Sequence, residues 1–185
     1  MSNSGTGNQS ESRPLAIALT VVSALGRLAP HLPNVTPLGG SCLFAGSKVS
    51  GLLAYLLPLA VMAVTDPFVG GYSWASVAVY GCFLINVWIG RRMVRRVTAM
   101  RVGAAAFLCS AQFFVLTNFF LWVEGGFTHS VFHKPGVAGL IATYAMGLPF
   151  WGRTLAGDLL FSAVLFAAYE LFVKRPATAH SSAPA

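Results

Sequence analysis

The sequence predicts an all-α polytopic membrane protein with six transmembrane helices and one short re-entrant or interfacial helix before the last span. Three observations support this fold class. Of the 185 residues, 56% are hydrophobic and only 9% are charged, and the mean hydropathy is +0.69. Such a chain has too few charged side chains to cover a soluble globule of this length. Its apolar residues lie in long runs, and a cluster of arginines separates two of these runs.

The arginine cluster orients the chain in the membrane. Five of the twelve Lys and Arg residues fall within eleven positions, at Arg91, Arg92, Arg95, Arg96 and Arg101. The positive-inside rule places a basic hairpin of this kind in the cytoplasm. Residues 74–90 precede the cluster and residues 102–123 follow it, each near the ~20 residues that span a bilayer. The sequence therefore predicts two spans here.

The apolar segments upstream of this hairpin predict three further helices. Residues 14–29 form the first span, because Pro14 suits a first helical turn and two prolines follow the segment. The stretch 36–65 is too long for one span and is interrupted by small and polar residues. We expect a short helix over residues 37–45, tilted or shielded by its neighbours, and a longer helix that ends near Thr65.

The downstream region predicts one short helix and one span. Residues 137–150 number about fourteen, a length that favours a re-entrant or interfacial helix. Residues 155–173 then form the last span, and both termini lie in the cytoplasm. A seven-span alternative would place Lys174 and Arg175 outside. The predicted organisation is a disordered tail over 1–13, a single transmembrane domain over 14–175 and a disordered tail over 176–185.

This topology gathers polar residues on the outer face of the membrane. They include Arg27, His31, Asn34, Asp66, Arg153 and Asp158. Asp66 is predicted at a helix C-terminus, where the helix dipole disfavours a carboxylate unless a cationic or hydrogen-bonding group meets it. Arg27 or Arg153 could be that group. His31 lies in a stiff, irregular connection, which is tolerated at membrane depth where it lines a wet cavity. A structural ion pair and a ligand contact both remain open.

The three cysteines, Cys42, Cys82 and Cys109, lie in apolar runs without the spacing of a zinc site or a disulfide framework. Cys82 falls about two turns into its helix from the outer end, so it either faces an outer pocket or packs among apolar side chains. Asn86 and Asn118 also lie within spans. Each needs a hydrogen-bond partner, most simply across a helix interface.

Enzymatic and nucleic-acid-binding functions are not indicated. The sequence shows no P-loop, HExxH, GxSxG or paired-carboxylate signature, and it holds only five acidic residues. Its basic residues flank apolar spans and do not form a face interleaved with exposed aromatic side chains. ATP hydrolysis, where transport requires it, would come from partner proteins.

Four segments carry a resemblance to a known family. They are RLAPHLPNVTPLGGSCLFAG, VMAVTDPFVGG, VYGCF and GRTLAGDLLF. With them the chain resembles, over roughly residues 14–173, the putative membrane transport family that includes solitary substrate-binding (S) components of energy-coupling-factor transporters. Within that group it is most similar to the BtuM-type cobalamin transporters.

The resemblance implies a transporter of the bacterial cytoplasmic membrane that binds cobalamin (vitamin B12) in an outward-facing pocket. Cobalamin would be the transported ligand, with no other bound metal, and the partners would be the lipid bilayer and either an energy-coupling module or none. Carried over, Cys82 would be the axial ligand to cobalt, and its thiolate could remove cyanide from cyanocobalamin. The other ligand-binding residues would be His31, Asn34, Asp66, Tyr80 and Arg153.

Three alternatives stay open at the level of the sequence. The same fold could bind another vitamin or small organic nutrient, with Cys82 in a packing role. A membrane haem protein could use His31 with His129 or His133, although membrane haem ligands are typically held on facing helices and these histidines are predicted in loops. A purely structural membrane subunit is the third alternative.

Overall fold

The computed structural model describes residues 7–29, 35–128 and 134–173, with side chains from Arg13 onward. Every regular element within these residues is a helix. They are α1 (Gly7–Leu25), a short 3-10 helix (Gly26–Leu28), α2 (Leu38–Lys48), α3 (Leu53–Val69), α4 (Trp74–Met93), α5 (Ala99–Thr128) and α6 (Val137–Val173). The predicted all-α class is therefore confirmed for the described part of the chain.

Three of these helices, α4, α5 and α6, are long and apolar enough to cross a membrane. At most 33% of the most apolar stretch of each is buried inside the protein. Their exposed faces carry large apolar side chains, among them Trp88, Phe107 and Leu160. Apolar helix faces of this extent are stable in lipid and not in water. The chain is a membrane protein.

The short helix predicted before the last span is not a separate element. The structure has one helix of 37 residues where the sequence predicts a break near residues 148–152, and this helix runs through Pro149. Packing against α5 explains its continuity, because Phe114 stacks on Trp151 with ring centroids 5.3 Å apart and also contacts the ring of Tyr144. At 1.5 Å per residue α6 is ~55 Å long, well beyond the ~30 Å bilayer core.

Helix α2 lies at the centre of the bundle and contacts α1, α3, α4, α5 and α6. Every residue from Leu38 to Gly46 is buried. This short helix is thus shielded from lipid by its neighbours, as the sequence predicts, although it extends three residues further than expected. Phe44 fills the space towards α6, where its ring packs edge-on against Phe166 and Tyr169.

The backbones of α2 and α4 touch at two glycines. A Cβ atom on Gly46 would lie 1.9 Å from the carbonyl oxygen of Val87, and one on Gly90 would lie 2.1 Å from that of Leu43. Only glycine fits at such separations, because any side chain would overlap a backbone atom of the partner helix. Small residues at membrane helix interfaces commonly permit this close approach.

The bundle has two chemically different ends. At the first, which we call the basic end, Arg91 donates to the Gly51 carbonyl at 2.7 Å, and Lys48 pairs with Glu170 at 3.1 Å. The arginine cluster lies at this end. The opposite end, which we call the cavity end, contains Arg27 and Asp66.

Candidate functional site

A polar cluster of Arg27, Asp66 and Tyr80 joins three elements at the cavity end. The Asp66 carboxylate is buried in the last turns of α3, where the N–H groups of the two glycines that follow the helix bind its backbone carbonyl. One carboxylate oxygen accepts a hydrogen bond from Arg27 at 2.7 Å, and the other accepts one from the Tyr80 hydroxyl at 2.7 Å. Arg27 also donates to Thr65 at 3.1 Å. Of the two cations that the sequence offered, Arg27 is therefore the partner.

The other predicted site residues are not drawn into this cluster. Arg153 lies exposed on α6 and is not among the partners of Asp66 within the described residues. His31 and Asn34 lie outside the described residues, as do His129 and His133 of the haem alternative. The structure thus brings together Asp66 and Tyr80 from the predicted set, and adds Arg27.

Cys82 is buried in α4, with 1% of its surface exposed. Its backbone carbonyl accepts a hydrogen bond from the Gln112 side chain of α5 at 3.1 Å. It lines none of the three cavities described below. Cys42 and Cys109 are likewise buried and free. The role of Cys82 as a cobalt ligand stays a prediction, because a ligand would have to reach its buried thiol.

The largest of the three cavities, the aromatic cavity, lies between α4, α5 and α6 and has a volume of about 390 Å³. Apolar and aromatic side chains form most of its wall: Val79, Phe113, Phe114, Leu121, Phe150 and Trp151. Thr117, Asn118 and Thr154 supply a few polar groups. Small-molecule sites combine a mostly apolar wall with a small number of orienting polar groups in the same way.

Two smaller cavities adjoin it. The first, which we call the acidic cavity because Asp158 lines it, has a volume of about 180 Å³. It shares Val79, Phe113 and Thr154 with the aromatic cavity. The second, about 200 Å³, surrounds the Arg27, Asp66 and Tyr80 cluster, and it shares Arg27 with the acidic cavity. Since they share wall residues, the three cavities lie side by side at the cavity end.

The acidic cavity is lined by two buried polar side chains, Asp158 of α6 and Asn86 of α4. Asn86 accepts a hydrogen bond from Gln112 at 2.7 Å, so its predicted bond across a helix interface is confirmed. Asn118 instead donates to the Phe114 carbonyl of its own helix at 2.8 Å. Asp158 lies against the first turn of α2, where a Cβ atom on Gly39 would come within 2.0 Å of its carboxylate.

The match with known families covers nearly the whole chain. Residues 8–180 match DUF6580, a family of unknown function. The chain belongs to this family. No curated protein and no solved structure matches it. The DUF6580 chain therefore has to be interpreted from its own residues.

Asp158 is predicted on the same face as Arg27 and lines a cavity with it, but it is not among the predicted binding residues. A signal was available, because an ionisable residue inside an apolar span is by default a candidate functional group. What the sequence could not provide is the proximity of Gly39, which is more than a hundred residues away along the chain. Among the described residues, no group of three or more His, Cys, Asp or Glu side chains could hold a metal ion.

Proposed function

We propose that this DUF6580 protein is the substrate-binding component of a membrane transporter for a small organic nutrient. The observation that carries the proposal is the aromatic cavity, with two smaller cavities beside it, within an apolar helical bundle. At about 390 Å³, the aromatic cavity falls within the ~300–1,000 Å³ range of ligand pockets. A purely structural membrane subunit would have no need of such a space.

The wall of the aromatic cavity indicates which part of a ligand it accepts. Phe114 and Trp151 are stacked with an interplanar angle of 24°, and both aromatic side chains line this cavity. Ring systems prefer offset-stacked or edge-on contacts with such side chains. Thr117, Asn118 and Thr154 can orient one or two polar substituents. The ligand class that fits is a small molecule with a planar apolar ring.

Cobalamin is the narrower hypothesis that the family resemblance implies. A complete corrinoid with its amide side chains is much larger than the aromatic cavity, and Cys82 borders no cavity in the described structure. For cobalt to reach its thiol, the contact between α4 and α5 at Gln112 would have to open. The geometry therefore favours the smaller nutrient.

We further propose that the protein lies in a bacterial cytoplasmic membrane with the basic end facing the cytoplasm. The positive-inside rule supports this orientation. α1 runs towards Arg27, so it begins at the basic end, and α6 ends there beside Lys48. Labelling of single cysteines in intact cells tests it: Thr98→Cys should be protected from an impermeant maleimide and Thr128→Cys should react. The reverse pattern would contradict the orientation.

Mass spectrometry of molecules that copurify with the protein tests the proposed function. Protein extracted in native lipid nanodiscs should release a small ring-containing compound on denaturation. Phe114→Ala should lose that compound because it removes part of the cavity wall, whereas Phe119→Ala, an exposed residue of the same helix outside the wall, should retain it. Release of lipids alone, equally from all three proteins, would contradict a nutrient-binding role.

A further inference from the structure

We propose that Asp158 binds the positively charged nitrogen of an organic cation whose apolar ring occupies the aromatic cavity. This inference rests on the proposed function and deepens it, because it names the class of ligand. It begins from one residue that the resemblance does not assign to the binding site. Asp158 borders the acidic cavity with 5% of its surface exposed.

The Asp158 carboxylate has no protein partner in the described residues. No group there donates a hydrogen bond to it, and the ion pairs observed are Arg27 with Asp66 and Lys48 with Glu170. A buried carboxylate without a partner is strongly unfavourable, and buried charges are normally paired. A side chain of this kind that borders a cavity is explained if a ligand supplies the missing partner.

Among the described residues that line the three cavities, Asp158 is the carboxyl group without a cationic partner. Arg27 is the one cation among the described wall residues, and its guanidinium is held by Asp66 at 2.7 Å. The remaining stabilisation of Asp158 comes from the first turn of α2 at Gly39, since a helix N-terminus carries about half a positive charge. That partial charge provides no hydrogen bond to the carboxylate. When Asp158 is ionised, one monovalent cation would restore neutrality.

The surroundings of Asp158 favour an organic ammonium over a metal ion. Phe83 and Phe113 line the same cavity, and aromatic faces attract an ammonium group through cation–π interactions. Ca²⁺ requires six to eight oxygen ligands, whereas one carboxylate and the amide of Asn86 are the principal buried polar groups here. The acidic and aromatic cavities adjoin at Phe113 and Val79, so a molecule that extends past these two side chains would have its nitrogen in the first cavity and its ring in the second.

Three probes of matched shape test the charge preference: phenethylammonium, neutral 2-phenylethanol and anionic phenylacetate. Their binding to purified protein in nanodiscs is followed by tryptophan fluorescence, with Trp151 in the cavity wall as the reporter. We expect phenethylammonium to bind at least about tenfold more tightly than 2-phenylethanol, as for one charge-assisted hydrogen bond. Asp158→Asn should reduce that ratio to near unity. Glu170→Gln, which changes an acidic residue of the same helix that lines none of the three cavities, should preserve it.

A second measurement uses the unmodified protein and does not depend on how the variant folds. Dicyclohexylcarbodiimide, an apolar reagent, should label Asp158, and phenethylammonium should slow the labelling while 2-phenylethanol and an equal concentration of Na⁺ should not. Equal protection by Na⁺ would overturn the inference, and so would a cation preference that survives in Asp158→Asn.

The two proposals fail in different ways. If 2-phenylethanol does not bind and Phe114→Ala changes nothing, the aromatic cavity is not a ligand site and the proposed function fails. Protection of Asp158 by phenethylammonium in that case would contradict the placement of the ring in the aromatic cavity, although Asp158 would still bind the ammonium group. If 2-phenylethanol binds and phenethylammonium binds no better, the cation site fails while the nutrient pocket remains.

Discussion

Replacing the two contact glycines between α2 and α4 should destabilise the protein measurably. In Gly46→Ala the new methyl group would lie 1.9 Å from the Val87 carbonyl oxygen, and in Gly90→Ala it would lie 2.1 Å from that of Leu43. An ordinary contact requires about 3.4 Å, so the helices must separate locally by ~1.5 Å. Overpacking of this kind costs ~1–3 kcal/mol, and we expect the upper part of that range because both opposing atoms belong to the backbone.

Helix propensity acts in the opposite direction and supplies the control. Alanine is favoured over glycine in a helix by ~1 kcal/mol. Gly81, in the same helix as Gly90, has no atom within 4 Å of its virtual Cβ, so Gly81→Ala should keep or raise stability. Thermal unfolding in detergent, monitored by tryptophan fluorescence, should place the midpoints of both contact variants below native and that of Gly81→Ala at or above it. Contact variants as stable as Gly81→Ala would refute the direct backbone contact.

Two further predictions concern the polar cluster and the buried thiol. Asp66→Asn should cost ~1.5–3 kcal/mol of stability, because it weakens the charge-assisted hydrogen bonds to Arg27 and Tyr80. The double variant with Arg27→Gln should lose less stability than the sum of the two single losses. Strict additivity in thermal unfolding would contradict the pairing. Cys82→Ser should cost ~1–3 kcal/mol as a buried hydroxyl and leave the visible spectrum of added cyanocobalamin unchanged, as should the Cys42→Ser control. A band shift seen with native protein and lost only in Cys82→Ser would instead support cobalt ligation.

The parts of the fold that face lipid could be predicted from the sequence. α4 and α5 are long apolar runs, and the length of such a run is set by the bilayer, independently of the rest of the protein. The parts governed by contacts inside the bundle could not be predicted. Gly46 and its neighbours in α2 look like a chain break because they are small and polar, yet small size is what lets α4 approach. Pro149 looks like a helix end, yet packing on α5 carries α6 through it.

For the candidate site, the sequence predicts which types of residue take part but not which of them contact each other. A carboxylate at the end of α3 needs a cation, and the sequence offered Arg27 and Arg153 without a way to choose between them. The choice depends on how α1 and α3 lie side by side, which no local pattern encodes. Asp158 is predicted on the same face as Arg27, but its lack of a partner among the described residues is a property of the folded bundle.

Because α6 is one continuous helix, a displacement at one point on it is transmitted along its length. Trp151 and Asp158 lie near the middle of this helix, and Glu170, which pairs with Lys48, lies near its C-terminal end. Trp151 and Glu170 are separated by ~28 Å along the axis of α6, which is close to the thickness of the hydrocarbon core of a bilayer. Because Trp151, Asp158 and Glu170 all follow Pro149, the place where helices bend most readily, a ligand that displaces the cavity wall would transmit the displacement to the Lys48–Glu170 pair at the basic end.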